Sequence, residues 1–351
     1  APELAADAFS LGFWPGGDRD GNPFVDAGTT LRVSRRLRLT LLRCYRRSFR
    51  ELRRRITFKG LEGELDALQS KVEDAILAMD ARVFDDEEVI LDLQRIEAKV
   101  WSNFGGLHAE DITRLRLSLV IFGRHFASMD IRQDSRVLRR AADAVGLPES
   151  PEELLAVTAH KEMPSDADDV VKDVVEVMGT IQEIQQFNGP RGCHRFIISN
   201  CRGANDVLRL YALAKCAHQG NPMLLDFAPL FETVDDLTGA ANEMRRLLSM
   251  SAYRDHLATR DHIQHVMLGF SDGTKDGGYL MANWSIHQAK ESLSAACAEH
   301  GVEVVFFDGR GGPPARGGGN THRFYASLGP DVQTKEVQTT IQGQSISSNF
   351  G

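Results

Sequence analysis

Two carboxylates follow separate apolar runs in the second half of the chain. Glu232 closes APLFE, and Asp272 closes VMLGFSD. Carboxylates that end neighbouring buried strands suit an oxygen-liganded Mg²⁺ or Mn²⁺, which keeps several waters and takes substrate oxygens. The alternative is helix capping, because Thr233, Asp235 and Asp236 follow Glu232 directly. Spacing alone leaves both interpretations open.

Three arginines close or follow apolar runs, which indicates an anion site. Arg132 lies in MDIRQDS, and Arg310 and Arg316 lie in DGRGGPPARGGG. A guanidinium at the end of a buried strand needs a carboxylate or phosphate partner, and glycines such as those within 309–319 let backbone N–H groups approach an anion. Lys275 adds another candidate positive contact. The alternative for the glycine-rich stretch is a flexible surface loop.

The opening segment 13–23, FWPGGDRDGNP, carries more functional side chains than a turn requires. Arg19 and Asp20 lie among its glycines, after Trp14. We expect either a loop that serves the site or a structural turn held by an ion pair between Arg19 and an aspartate. Nucleophile-elbow, zinc-protease and phosphate-loop motifs are absent from the sequence, and its histidines lack metal-ligand spacing.

The elements that must position these residues change character along the chain. From about residue 126, apolar runs bounded by polar or glycine-rich residues predict buried parallel strands. The five runs are 126–132, 195–200, 224–232, 265–272 and 302–310. Helical segments separate them, and no GxGxxG follows a first strand, so we prefer a β/α barrel with its site at the carboxyl ends of the strands over a doubly wound open sheet.

The first third of the chain predicts long helices. Apolar residues recur at helical spacing, and the arginine-dense stretch 32–55 interleaves its charges with a stripe that predicts burial. That stripe consists of Leu37, Leu41, Leu42, Tyr45, Phe49 and Leu52. We interpret the arginines as a solvated or subunit-facing helix surface. The predicted domains are an active-site loop segment over 1–25, a helical region over 26–125 and the barrel strands over 126–351.

Composition excludes several classes of protein. The 351 residues contain 41 Lys and Arg against 49 Asp and Glu, so the net charge of −8 argues against a nucleic-acid partner. Five scattered cysteines predict no disulfide framework and favour the reducing cytoplasm. No apolar stretch reaches the roughly 18 residues that span a bilayer, so we expect no membrane partner and a cytoplasmic location.

Five motifs taken together resemble the phosphoenolpyruvate carboxylase family. They are FWPGGDRDGNP, MDIRQDSR, APLFETVDDL, VMLGFSDGTKDGGYL and FFDGRGGPPARGGGNTH, in that order. The resemblance implies an α-helix-rich (β/α)₈ TIM-type barrel, incomplete in this chain, and commonly a homotetramer. It also implies a carboxy-lyase that uses Mg²⁺ or Mn²⁺ to make oxaloacetate and phosphate from phosphoenolpyruvate and bicarbonate, through carboxyphosphate and a metal-stabilised enolate. That reaction fixes carbon dioxide and feeds the tricarboxylic acid cycle.

The resemblance also implies roles for the charged residues. Glu232 and Asp272 match the metal ligands, while Arg132, Arg310 and Lys275 match residues that surround phosphoenolpyruvate and its enolate.

Further residues match other parts of the family site. Trp14, Leu230 and Met267 match the apolar pocket for carbon dioxide. Arg316 matches the glycine-loop arginine that contacts substrate-side anions and engages acidic feedback effectors. Asp308 stands where the family usually has a histidine, as in a minority variant, and it bears on the neighbouring proton or phosphate contact.

Two family segments are not in this sequence. One is the histidine-bearing TAHPTE segment credited with carboxylation, and the other is the C-terminal portion of the barrel. We therefore expect a central fragment that by itself carries out little or no carboxylation. Two alternatives stay open, namely a Mg²⁺-dependent barrel lyase or phosphatase acting on phosphoenolpyruvate-like substrates, and a non-catalytic binding or assembly module.

Overall fold

The structure is a computed structural model whose contacts divide the chain into two units. It describes residues 9–78, 84–158, 163–218, 222–269, 271–309, 321–333 and 336–341. The first unit comprises Ala1–Gly17, Val25–Asp130 and Gly179–His194. The second unit comprises Asp18–Phe24, Ile131–Met178 and Arg195–Gly351.

Four long helices make up most of the first unit. They are α1 (Ala27–Arg55), α2 (Glu62–Ala78), α3 (Asp86–Phe104) and α4 (Ala109–Phe122). Aspartates cap two of them, because the Asp26 side chain accepts from the Thr29 N–H and the Asp85 side chain accepts from two N–H groups of α3. Gly105 ends α3 in the left-handed conformation that favours glycine.

The apolar stripe of α1 packs into the core of this unit. Five of the six stripe residues are buried and Leu37 is half-buried, which confirms the predicted buried face. The predicted solvated arginine surface fails at one position, because Arg38 is only 4% exposed. Its guanidinium lies 5.5 Å from the centre of the Phe187 ring, so an aromatic face replaces water around this charge.

Within the described residues, seven strands form one parallel sheet in sequence order. They are β1 (Gly12–Phe13), β2 (Ser128–Asp134), β3 (Arg195–Ser199), β4 (Asp226–Phe231), β5 (Ile263–Leu268), β6 (Glu303–Asp308) and β7 (Val337–Thr339). Strand order that follows chain order, with parallel pairing, is the topology of a (β/α)₈ barrel. The fold is therefore the predicted helix-rich α/β architecture of an incomplete barrel.

Helices connect the strands in the manner that parallel pairing requires. They are α5 (Ser135–Ala144), α6 (Pro151–Ala156), α7 (Asp169–Asn188), α8 (Ala204–His218), α9 (Val234–Leu248), α10 (Ser251–Ala258), α11 (Ser271–Ala298) and α12 (Thr321–Ala326), with a 3-10 turn at Pro190–Gly192. The strands between them are almost wholly buried. Burial on both faces explains why each strand has a continuous apolar sequence.

The five predicted strands are confirmed, with differences at carboxyl ends. The run 126–132 ends at Arg132, whereas β2 continues to Asp134. The run 265–272 was expected to end at Asp272, but β5 ends at Leu268. Asp272 instead lies in the first turn of α11, because the chain turns at Gly269 and becomes helical from Ser271. The short strands β1 and β7 were not predicted, since two or three residues carry no detectable alternation.

In the described part of the chain, none of the helices is both long enough and apolar enough to cross a bilayer.

Candidate functional site

The carboxyl ends of β4, β5 and β6 lie in register at one edge of the sheet. Phe231 pairs with Leu268, and Leu268 pairs with Asp308. The ladder continues one step beyond the strands, because the Gly269 N–H donates to Phe231 and the Gly309 N–H donates to Leu268. The chain segments that follow the three strands therefore start side by side, which is where β/α barrels build their sites.

Glu232 is the first residue after β4 and is half-buried at this edge. Its Oε2 accepts a hydrogen bond of 3.3 Å from the Asn200 N–H, which follows β3. The capping interpretation fails for Glu232, because Thr233 is the N-cap of α9 and forms a capping box with Asp236. The Glu232 carboxylate is thus not used as a helix cap.

Four other predicted site residues lie where side chains are not described. Asp272 and Lys275 are both in the first turns of α11, in a stretch where only the backbone is described. Arg310 and Arg316 lie outside the described residues. Their roles, and the pairing of Glu232 with Asp272 at a metal, stay predictions. Among the described residues, no group of three or more His, Cys, Asp or Glu could hold a metal ion.

Leu230 and Met267 form an apolar pair just inside the same edge. They are register partners in β4 and β5, and they are 2% and 3% exposed. Register partners on neighbouring strands project to the same face of a sheet. The two residues therefore form a buried apolar surface just before the ends of β4 and β5, and the pocket role that the resemblance implies for them stays a prediction.

Trp14 lies in the first unit, where an unpredicted carboxylate orients it. Its indole Nε1–H donates to Asp130 Oδ2 at 2.9 Å, and Asp130 on β2 is 1% exposed. Gly17 packs so closely on the same strand that a Cβ atom there would lie 2.0 Å from the Asp130 backbone oxygen. The tight turn of the opening motif thus depends on Asp130, whose position within an apolar run gave no sign of this role.

Arg132 is held by two aspartates of the opening motif. Its Nε donates to Asp18 Oδ1 at 2.8 Å, and its second terminal nitrogen lies 3.4 Å from Asp20 Oδ2. The backbone joins the same segments, because the Arg19 N–H donates to the Arg132 carbonyl at 2.9 Å. Two carboxylates on one side of the fork pre-orient the guanidinium before any ligand arrives.

Arg19 forms a buried ion pair with a residue outside the opening motif. Its Nε donates to Asp173 Oδ2 on α7 at 2.7 Å, with side-chain exposures of 2% and 12%. The interpretation of a segment held by an ion pair between Arg19 and an aspartate is therefore confirmed, whereas a role of this segment in a functional site stays a prediction. Asp173 was not predicted, because nothing in the sequence links a residue of α7 to this motif.

Asp308, the last residue of β6, is completely buried and paired within the protein. Lys290 Nζ on α11 donates to its Oδ2 at 2.8 Å, and the Tyr325 hydroxyl on α12 donates to the same oxygen at 2.6 Å. Neither partner was predicted. A signal for Lys290 was available, because it lies four residues after Ile286 and three before Leu293, on the buried face of α11.

The thiol of Cys201, which follows β3, is too deeply buried to react as a thiolate. Cys201 follows β3 by two residues, and burial raises the pKa of its thiol well above the usual range. The thiol therefore stays protonated and is not a nucleophile. All five cysteines of the chain are free of disulfides.

The chain matches the model of a known protein family. The family model of phosphoenolpyruvate carboxylase matches residues 2–81 and 62–351. Proteins named phosphoenolpyruvate carboxylase are similar along nearly the whole chain. They include one from Rhodothermus marinus, 30% identical over 96% of this chain and 44% of its own length, and one from Xanthomonas campestris pv. campestris, 32% identical over 97% of this chain and 43% of its own length. The chain thus spans less than half the length of these relatives.

Proposed function

The chain belongs to the phosphoenolpyruvate carboxylase family, and from that premise we propose that its protein converts phosphoenolpyruvate and bicarbonate into oxaloacetate and phosphate. The observation that carries the proposal is the common edge of β4, β5 and β6, where Glu232, the Leu230–Met267 pair and the start of the glycine-rich segment lie side by side. This edge brings a hard oxygen donor and an apolar surface to the start of the glycine-rich segment.

We propose that Glu232 and Asp272 hold a Mg²⁺ or Mn²⁺ ion. The Glu232 carboxylate fits such an ion because it is a hard oxygen donor, half-buried, and not used as a helix cap. A bound divalent ion would supply positive charge beside the enolate oxygen. This assignment places the charge at the edge where the barrel strands end.

The cationic side chains are proposed to bind the substrate and its developing charge. Arg132, Arg310 and Lys275 would bind the phosphate and carboxylate of phosphoenolpyruvate, and Arg316 would contact anions beside it. The proposed role of Arg132 is supported by the two aspartates that fix its guanidinium. A cation that is already oriented reorganises little when charge develops, so it stabilises the transition state strongly.

The reaction proposed for these residues has two parts. A bicarbonate oxygen attacks the phosphorus atom, the bond from phosphorus to the enol oxygen breaks, and carboxyphosphate and the enolate of pyruvate result. Carboxyphosphate then loses carbon dioxide to leave phosphate, and C3 of the enolate attacks that carbon dioxide to form oxaloacetate. In this proposal Leu230 and Met267 exclude the water that would protonate the enolate.

We also propose the wider properties that the family implies. These are a homotetramer, a cytoplasmic location, a role in supplying the tricarboxylic acid cycle, and control by acidic feedback effectors. Free cysteines support a reducing compartment.

Metal and substrate binding by the purified chain tests the proposal directly. Titration with Mn²⁺, followed by electron paramagnetic resonance, should show one tight site, and calorimetry should show phosphoenolpyruvate binding that requires the metal. Glu232→Ala should abolish both. Asp235→Ala is the matched control, because it removes an exposed carboxylate three residues later and should leave both intact.

Three outcomes would contradict the proposal. They are equal Mn²⁺ affinity in the wild type and Glu232→Ala, loss of binding in Asp235→Ala alone, and phosphate release from phosphoenolpyruvate that does not depend on bicarbonate. The last would favour a barrel phosphatase. Oxaloacetate formation, coupled to malate dehydrogenase, should be slight, because the printed sequence contains no TAHPTE segment. Robust turnover would overturn that expectation.

A further inference from the structure

A lysine and an aspartate are buried together at the end of β6. Lys290 Nζ and Asp308 Oδ2 are 2.8 Å apart, and the two side chains are 1% and 0% exposed. Burying two charges costs more than their attraction returns in many proteins, and apolar replacements of the same volume are commonly neutral or stabilising. Stability by itself therefore does not account for this pair, and a positional role is the natural alternative.

Aromatic rings surround the ammonium group and reduce the cost of burying it. Lys290 Nζ lies 5.2 Å from the centre of the Phe306 ring, 5.3 Å from that of Phe324 and 5.5 Å from that of Tyr325. Ring faces attract cations at these distances, most strongly where water is excluded. Two of the three rings belong to α12, so the lysine joins α11, β6 and α12.

Tyr325 ties α12 to the end of β6 through Asp308. Its hydroxyl donates to Asp308 Oδ2 at 2.6 Å, the same oxygen that Lys290 contacts. The other carboxylate oxygen, Oδ1, is buried and has no hydrogen-bond partner in the described part of the chain. Both donors therefore act on one atom and fix the carboxylate in one orientation.

These contacts lie at the two ends of the glycine-rich segment. Asp308 and Gly309 precede residues 310–320, and the Gly309 N–H donates to Leu268 at 3.0 Å. Tyr325 comes shortly after that segment, in α12. The buried carboxylate of Asp308 thus connects the end of β6, which precedes the segment, with α12, which follows it.

Neutralisation of Asp308 matters for an anion site. A carboxylate without a counter-ion, two residues before Arg310, would repel a phosphate and would compete for the arginine. Lys290 supplies that counter-ion inside the protein. The negative charge of Asp308 is thereby kept away from the substrate, and its hydrogen-bonding capacity serves the fold around the segment.

We propose that Asp308, Lys290 and Tyr325 form a positioning cluster that holds both ends of the segment carrying Arg310 and Arg316. In this cluster Asp308 is a positioning residue and does not contact substrate. The effect of the cluster on phosphoenolpyruvate affinity rests on the proposed function, whereas its holding of the two ends of the segment does not.

Tyr325→Phe tests the cluster with the smallest change. The variant removes one hydroxyl and leaves the ion pair and the ring in place, so we expect it to fold. Trypsin cleavage after Arg310 and Arg316, followed by mass spectrometry, should become about tenfold faster, as expected for the loss of one hydrogen bond to a charged group. Tyr279→Phe, on the exposed part of α11, is the matched control and should cleave at the wild-type rate.

Ligand binding separates a positioning role from a general loss of structure. Tyr325→Phe should weaken phosphoenolpyruvate binding about tenfold and lower the melting temperature by about 3–6 °C, the shift expected for one hydrogen bond to a charged group, while leaving Mn²⁺ affinity near the wild-type value. A variant that merely loosened the fold would weaken Mn²⁺ binding as well.

A second variant removes the charges without leaving one buried alone. Lys290→Met combined with Asp308→Leu keeps an apolar interior, and it should show the same accelerated cleavage as Tyr325→Phe. Adding Tyr325→Phe to that pair should have no further effect, because the acceptor is already gone.

The outcomes distinguish the two proposals. Unchanged cleavage in Tyr325→Phe, or additive effects in the triple variant, would overturn the positioning cluster. Accelerated cleavage in a protein that binds no phosphoenolpyruvate would support the cluster and contradict the proposed function.

Discussion

Replacing Asp173 by asparagine tests whether its ion pair with Arg19 anchors the opening motif. The pair is 2.7 Å long, with side chains 2% and 12% exposed. Asparagine keeps the shape but removes the negative charge, so the buried guanidinium loses this counter-ion. Breaking a buried pair costs about 3–5 kcal/mol. We expect about 3 kcal/mol, because the amide oxygen still accepts a hydrogen bond.

Thermal unfolding measures this cost against a matched control. A change of 1 kcal/mol moves the Tm of a domain of 150–250 residues by about 2–4 °C, so Asp173→Asn should lower Tm by roughly 6 °C or more. Glu183→Gln removes another acid of the same helix, paired with Arg35 at 2.6 Å but 35% exposed. Surface pairs contribute about 0–1 kcal/mol, so this control should move Tm by at most about 4 °C.

The same variant should also affect Arg132. Asp18 and Asp20 flank Arg19 and contact the Arg132 guanidinium, so a displaced segment leaves that guanidinium less well oriented. Phosphoenolpyruvate affinity, measured by calorimetry at a temperature where the variant is folded, should fall about tenfold. Equal Tm values for Asp173→Asn and Glu183→Gln would refute the anchoring argument. Unchanged phosphoenolpyruvate affinity in a destabilised variant would refute its extension to Arg132.

Two further predictions concern packing and pH. Gly17→Ala places a Cβ atom 2.0 Å from the Asp130 backbone oxygen, so the Tm should fall by more than about 5 °C. The control Gly63→Ala, in an open position of α2, should be neutral or slightly stabilising. Equal Tm values for the two variants would contradict the packing argument. Burial lowers the pKa of His256 from its ordinary 6.5 to about 4, so below pH 6.5 the unfolded chain binds a proton that the folded chain excludes. The contribution of neutral His256 to stability should therefore be fully present above pH 6.5 and decline towards pH 4. The free energy of unfolding should be lower by about 2 kcal/mol at pH 5 than at pH 7. Urea unfolding at pH 7 and pH 5 measures this decline in the free energy of unfolding. His256→Gln keeps a donor for the Leu225 carbonyl and should show a smaller decline than the wild type. An equal decline in both proteins would show that His256 is not responsible.

The positions of the main strands could be predicted because parallel strands buried on both faces need continuous apolar sequence. That requirement places Glu232 at the end of β4 and Leu230 and Met267 just before the ends of their strands. It fails for Asp272, because a glycine turn and a helix start can follow a strand without any break in the pattern of residue types.

The partners of buried charges could not be predicted by the same means. Arg19 and Asp173 are far apart in the sequence, as are Trp14 and Asp130, and many arrangements of the same residue types would satisfy the local patterns. Ion pairs and hydrogen bonds depend on distances of about 3 Å, which only the packing of whole elements sets.

The sequence by itself determined the family and the helix-rich barrel architecture, and it predicted the carboxyl edge of the strands as the place of the site, because motif identity and apolar periodicity are local properties of the chain. Only the tertiary structure decided that Thr233 and Asp236, and not Glu232, cap α9, and that Asp308 is neutralised by Lys290 and bound by Tyr325. These outcomes depend on which side chains meet when separate helices and strands pack, and a buried charge must find its partner within that packing.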